Sequence, residues 1–377
     1  MLIDRLIHIE EIEALEVAYK KKFGRLPYNV SGWTTSKNFQ KEILEVFEPP
    51  KMNNPIEYMY SYSLDEELLE SLKCKFSTGL DDSTVIALMP NSTTAIVNIS
   101  NLLRAYNYKK TCVLTPAYFS IEKAAGSYSL DCKLIPLINE ERQYKIPIES
   151  VLEQNFDAVW ITSPVYSTGY YYKNEEILKI RKLLDRGILV ISDESFCVGN
   201  QRLIRYFENH PNFIAIYSPH KGICINSYKF SAILYNRRFN TFIDQWIDVL
   251  SGNLPASTYG SAKHFLASNF EVCQQAYESY MEAARTELAY LLKAHKHVSF
   301  NFDSEGSMYT IFVHNRPYEE SESIDFMRKV IMDTGASFYP AFLNGLGYEY
   351  GFTFRINIAL YDSEFALNLN KLLLYLR

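Results

Sequence analysis

The sequence predicts an α/β fold: a large domain with a mostly parallel seven-stranded sheet, followed by a smaller α+β C-terminal domain. Three observations predict it. Seven short apolar runs read as strands: TVIALMP (84–90), TCVLTP (111–116), CKLIPL (132–137), AVWITSP (158–164), ILVISDESF (188–196), FIAIYSP (213–219) and FSAILY (230–235). Helical stretches lie between most of them, and the runs are continuously apolar, as strands covered on both faces are. From about Val298 the pattern changes to four further strand-like runs and two helical ones.

The elements follow in order. Residues 1–23 read as an amphipathic helix, with Leu2, Ile3, Leu6, Ile9, Ile12, Leu15 and Val17 at roughly helical spacing. FGRLPYNVSGWTTS reads as extended chain with turns, NFQKEILEVF as a short helix, and DEELLESLKCKFSTGL as a helix closed by Gly79. The α/β alternation comes next, then a loop (GNLPASTYGSAK) and a long helix ending near LAYLLKAHKH. In the C-terminal part VSFNF, MYTIFVH, SFYPAF and FTFRINIAL read as strands, and DFMRKVIMD and SEFALNLNKLLLYL as helices. This divides the chain into an N-terminal helix and arm (1–57), a large domain (58–290) and a small C-terminal domain (291–377).

Composition narrows the function. A chain of 377 residues that is 47% hydrophobic and 22% charged is globular, and a net charge of −6 argues against a nucleic-acid surface. Six scattered cysteines form no CxxC and no Cys/His cluster at metal spacing, so they read as reduced thiols with no metal site. The acidic N-terminal helix lacks a signal-peptide layout, and no apolar run approaches a membrane span. The expectation is a soluble, cytoplasmic protein that binds neither nucleic acid nor membrane.

In a parallel sheet, ligands bind at the carboxyl ends of the strands, and the polar residues collect there. Asn91-Ser92-Thr93-Thr94 after the first run offers hydroxyls and free amides at a helix start, suited to phosphate. An ordinary helix cap has the same composition. Tyr118 after the second run suits stacking on a planar ring, or core packing. Tyr166-Ser167-Thr168-Gly169 is a turn carrying a phenol. Asp193 is a carboxylate on a core strand that needs a partner, which a protonated ring nitrogen would supply; capping a loop or bonding to backbone would also satisfy it. Lys221 follows the sixth run, with Ser218 three residues before it and Lys229 eight after. Lysines usually extend into water from such positions, but a lysine here also suits covalent capture of a carbonyl. Phosphate seat, stacking ring, ring-nitrogen carboxylate and carbonyl-binding lysine together are the parts of a pyridoxal 5′-phosphate (PLP) site.

On these residues the chain resembles the fold type I PLP-dependent enzymes, and within them the class I/II aminotransferases, from roughly Tyr58 to the end. Ser218-Pro219-His220-Lys221 and Lys229 match the family's lysine block and phosphate cation. Tyr166-Ser167-Thr168-Gly169 matches its Asn-Pro-Thr-Gly turn, Asp193-Glu194-Ser195-Phe196 its Asp-x-x-Tyr block, Pro116-Ala117-Tyr118 its stacking aromatic, and Phe354-Arg355-Ile356 its carboxylate-binding arginine. The resemblance implies a mixed sheet and PLP as cofactor. It also implies Lys221 as catalytic base and anchor, and an amino acid substrate held by Arg355. Ser92, Thr93, Tyr118, Tyr166, Asp193, Ser218 and Lys229 would line the cofactor. The implied assembly is a homodimer in which Tyr58 or Tyr60 reaches the phosphate across the interface.

The departures suggest a divergent member. The family's phosphate arginine is Lys229, its Asn is Tyr166 and its Tyr is Phe196, so Tyr166 can supply the phenol that Phe196 lacks. The expected reaction is transamination at the α-carbon. His220 before the lysine also resembles PLP decarboxylases, and Lys229 resembles PLP-dependent arginine hydroxylases and cyclases, which leaves cyclisation, oxidation or decarboxylation as alternatives. A non-catalytic relative would need neither Lys221 nor Asp193. A nucleotide-binding reading lacks GxGxxG and a Walker loop.

Overall fold

The computed structural model describes residues 2–49, 66–76, 79–140, 143–199, 201–226, 228–251, 254–300 and 306–377. Tyr58 and Tyr60, the start of the helix expected from Leu64, and the end of the VSFNF run lie outside these residues. The chain folds as two compact units, Leu44–Val165 with Tyr171–Ala276, and Met1–Ile43 with Tyr166–Tyr170 and Tyr277–Arg377.

The first unit holds the seven expected strands: β1 (Thr84–Met89), β2 (Lys110–Thr115), β3 (Asp131–Pro136), β4 (Ala158–Thr162), β5 (Leu189–Asp193), β6 (Phe213–Tyr217) and β7 (Ser231–Asn236). They form one sheet in the order β1-β7-β6-β5-β4-β2-β3. The strands run parallel except β7, which is antiparallel to both β1 and β6. Every residue of β4, β5 and β6 is buried, which explains their unbroken apolar composition: both faces are covered. Alternate residues form one core layer. Ala158 and Trp160, Leu189 and Ile191, Ile214 and Ile216, and Ile233 and Tyr235 pack with Ile96, Ile99 and Leu103 of the helix Ser92–Ala105. Helix Asn174–Asp185 buries Ile177, Ile180, Leu183 and Leu184.

The same alternation positions the chemistry. Asp193 continues the Leu189–Ile191 row, and Ser218 continues the Ile214–Ile216 row. Both therefore emerge on the face covered by the Ser92–Ala105 helix. Asp193 pairs in register with Thr162 and Ile216.

The second unit carries a four-stranded antiparallel sheet in the order Val298–Ser299, Met308–Val313, Phe352–Asn357, Tyr339–Pro340. A short parallel pair joins Tyr28–Asn29 to Ala336–Ser337, so the segment near the N-terminus is part of this unit. Its first helix is Leu2–Phe23. Ile12, Leu15 and Tyr19 are buried, whereas Val17 is half exposed. The apolar stripe thus turns through Tyr19 and leaves Val17 off it. A second difference is the expected loop GNLPASTYGSAK, where Ala256–His264 is helical, starting directly after Pro255. Its Ser, Thr and Gly content reads as loop, but Pro is well placed just before a first turn. None of the described helices is long and apolar enough to cross a membrane.

Asn91 caps the Ser92–Ala105 helix: the Thr94 N–H donates to its Oδ1 at 2.9 Å. Asn91→Ala should lower stability by about 1 kcal/mol, read as a reduced urea midpoint with an unchanged denaturant slope.

Candidate active site

Lys221 lies in the one-turn helix Pro219–Gly222 directly after β6. Its Nζ is 3.4 Å from Ser92 Oγ, 4.2 Å from the centre of the Phe196 ring and 5.6 Å from that of Tyr118. Four residues distant in sequence thus meet at one ammonium, on the carboxyl side of the sheet. A cation over an aromatic face is stabilised by about 0.5–2 kcal/mol, enough to hold a half-buried ammonium against two rings but not to bury it. Gly222 is what allows the turn to sit so close. A Cβ there would stand 2.6 Å from the Cys197 main-chain oxygen, and backbone cannot yield as a flexible side chain can.

Asp193 ends β5 and is 5% exposed. The Ser195 N–H donates to its Oδ1 at 3.1 Å, and among the described residues no cation forms an ion pair with it. A buried carboxylate with a single neutral donor is poorly compensated; a protonated ring nitrogen is the kind of partner it lacks. Ser218, 1% exposed, shares a hydrogen bond of 2.5 Å with Ser231 of β7. Ser92 is buried and Thr93 exposed at the helix start, and Lys229 is exposed just before β7. The donor set fits PLP: hydroxyls and amides at a helix N-terminus for phosphate, a ring at Tyr118, a carboxylate at Asp193, and an amine at Lys221.

His220, next to the lysine, is 5% exposed, and its ring lies tilted at 5.4 Å from Phe230. Burial, with Lys221 and Lys229 adding to it, pushes its pKa down to about 3. It is therefore neutral at physiological pH and adds no charge beside Lys221.

The second unit holds Tyr166 and Arg355. Tyr166 is buried at the head of a turn in which Ser167 and Gly169 have φ of 59° and 69°. Left-handed backbone is natural for Gly169 and strained for Ser167. Thr310 Oγ1 donates to the Ser167 carbonyl at 2.7 Å and fixes the turn. Thr310 is also the register partner of Arg355 across the sheet. Arg355 is 4% exposed, and its Nη2 donates to the Ser31 carbonyl at 2.9 Å.

The structure thus joins Lys221, Ser92 and Tyr118 directly and puts Asp193 and Ser218 on the same sheet face. Lys229 is placed only by its exposed position before β7, and Tyr60 is not described. Sequence reasoning missed Thr310, which carries no signal beyond being a threonine in a strand. Away from this set it also missed a buried arginine: Arg202 is 4% exposed, donates to the Lys75 carbonyl, and sits 4.1 Å from the Tyr217 ring centre; nothing in its local composition marks it as buried.

Comparison with known proteins bears on the family and the fold. The family model for aminotransferase class I and II matches residues 28–329, well over half of the chain. The protein belongs to this family and is a PLP-dependent enzyme of fold type I. Arg355 lies beyond the matched range. No curated protein matches the sequence. Among solved structures, the chain is similar to YbdL from Escherichia coli, described as having a methionine aminotransferase function (14% identity, TM-score 0.73, covering 96% of this chain and 95% of that one). It is also similar to an aspartate aminotransferase from Rhizobium meliloti (13%, 0.73, 98% and 95%). A PLP-bound C-S lyase from Staphylococcus hominis is a third (16%, 0.70, 93% and 91%). At such identities the likeness is one of fold.

Glu194 faces away from this set, 1% exposed, and accepts the Ile204 N–H at 3.0 Å. Burial outweighs the nearby Arg202 charge and pushes its pKa up to about 8. Between the ordinary value of 4.5 and 8, the folded carboxyl keeps a proton that the unfolded chain releases. Stability therefore falls as pH rises through that window. Glu194→Gln should flatten this fall, seen as a melting temperature that changes less between pH 5 and 8 than in the wild type.

Proposed function

We propose that this protein is an aminotransferase acting at the α-carbon of an amino acid, with Lys221 as its catalytic base. The observation that carries the reading is the Lys221 ammonium held against Ser92, Phe196 and Tyr118, on the sheet face from which the buried Asp193 emerges.

PLP, when bound, supplies an electrophilic carbonyl and an electron-withdrawing ring. The chain's own residues do the rest. Lys221 would anchor the cofactor carbonyl through Nζ, and its neutral amine would take the proton from the substrate α-carbon as a general base. Asp193 would keep a proton on the ring nitrogen. Ser92, Thr93, Ser218 and Lys229 would hold the phosphate, and Tyr118 would offer its ring for stacking. Tyr166 would supply the phenol for the cofactor oxygen that the family's tyrosine reaches, a position filled here by Phe196. Arg355 takes the substrate carboxylate, which favours reactions that retain it over decarboxylation. We assign Tyr58 or Tyr60 to the phosphate of a second copy in a homodimer.

The test is the absorbance spectrum of the purified protein with PLP, before and after single amino acids are added. Visible absorbance that requires Lys221, vanishes in Lys221→Ala, and bleaches with release of a keto acid supports transamination. Carbon dioxide release or oxygen uptake would move the reading to a decarboxylase or an oxidase, and ammonia with pyruvate from cysteine to C–S cleavage.

The reassigned phenol has its own consequence. Tyr166→Phe should shift the pH titration of the bound cofactor's visible absorbance; a superimposable titration curve would sink that assignment.

A further inference from the structure

Arg355 is surrounded by one short segment of the chain. Its Nη2 donates to the Ser31 carbonyl at 2.9 Å. Ser31 Oγ donates in turn to the Arg355 carbonyl and accepts the Tyr339 N–H at 2.9 Å. Two residues further along the arginine's strand, Asn357 Nδ2 donates to the carbonyls of Gly32 at 2.8 Å and Thr34 at 3.2 Å. Those two carbonyls flank Trp33, so its backbone is fixed from both sides by the strand that carries Arg355. The guanidinium carbon lies 4.7 Å from the centre of the Trp33 ring and 5.5 Å from that of Tyr339.

Trp33 is 40% exposed, while Arg355 is 4% exposed. A tryptophan serving only the core would have its indole buried. Here the backbone is pinned and the ring is left part in water, against a buried cation. The ring face restrains the guanidinium plane, and a bidentate pair with a carboxylate depends on that plane's orientation.

We propose that Trp33 is a positioning residue that holds the Arg355 guanidinium plane for the substrate carboxylate, so that it sets affinity for the amino acid and not the rate of the bound complex. This rests on Arg355 being the carboxylate anchor in the reading above.

The test uses Trp33→Leu and Trp33→Phe in the full-length holoenzyme. Leucine removes the aromatic face, and phenylalanine restores one. Trp33→Leu should raise KM for the amino acid about tenfold, equal to about 1.4 kcal/mol. Its kcat and the visible spectrum of the bound cofactor should stay unchanged, and Trp33→Phe should recover most of the affinity. A second readout does not need turnover: binding of 3-phenylpropionate, a carboxylate without an amine, followed by calorimetry. Its affinity should fall in Trp33→Leu in parallel with the rise in KM, and its methyl ester should not bind. Unchanged KM and unchanged phenylpropionate affinity in Trp33→Leu would overturn the proposal. So would a loss of kcat with an altered cofactor spectrum, or a failure of Trp33→Phe to recover affinity. If no amino acid is turned over by the wild type but phenylpropionate binding still depends on Trp33, the clamp stands and the transamination reading falls.

Discussion

Burying charge at the carboxyl end of a sheet whose interior is entirely apolar is the constraint on which the large unit depends. Strands β4, β5 and β6 can be continuously apolar only because helices cover both faces, and that leaves the strand ends as the place where polar groups emerge. Asp193 is nine-tenths buried and receives one main-chain N–H. Lys221 is half buried, against two aromatic rings and a serine hydroxyl. Each would cost less in water. Packing elsewhere holds them: the row of Ile191, Ile214 and Trp160 against the Ser92–Ala105 helix sets the position of every group that follows it. An apolar core thus offsets the cost of a polar end, the usual relation between a stable scaffold and a strained site.

The departures from the family pattern acquire physical content in this setting. Phe196 donates no hydrogen bond, but its ring face lies against the lysine ammonium. His220 is kept neutral by burial, with Lys221 and Lys229 adding to the shift. Lys229 is an exposed point charge without the planar fork of an arginine. Each change alters how the cofactor's substituents would be held without altering which strand end holds them.

The second unit solves a different problem, how to present a buried guanidinium. It uses chain from near both ends: Ser31, Gly32 and Thr34 are bonded to a strand more than three hundred residues later in sequence. The parallel pairing of Tyr28–Asn29 with Ala336–Ser337 brings that segment there, and the turn beginning at Tyr166 joins the same sheet through Thr310. Arg355 and the turn that begins at Tyr166 are therefore supported by one small sheet, although their local sequences have nothing in common.

Much of this was legible in the chain alone. All seven strands of the large sheet stood out as apolar runs, most clearly the central ones, where burial on both faces leaves an unbroken signature, and the spacing of Ser218, Lys221 and Lys229 carried the resemblance to the family's lysine block. Strand ends and turns are local, so short motifs record them. What the sequence could not express is pairing between distant segments. Nothing local says that Ser31 will hold Arg355, that Thr310 will hold Ser167, or that Phe196 will face the lysine across a strand end. Nor does local composition show that Arg202 is buried, that Val17 falls off its helix's apolar stripe, or that a Ser- and Gly-rich stretch after Pro255 is helical. Those outcomes follow from which surfaces meet when the chain collapses, and only the tertiary structure decides that.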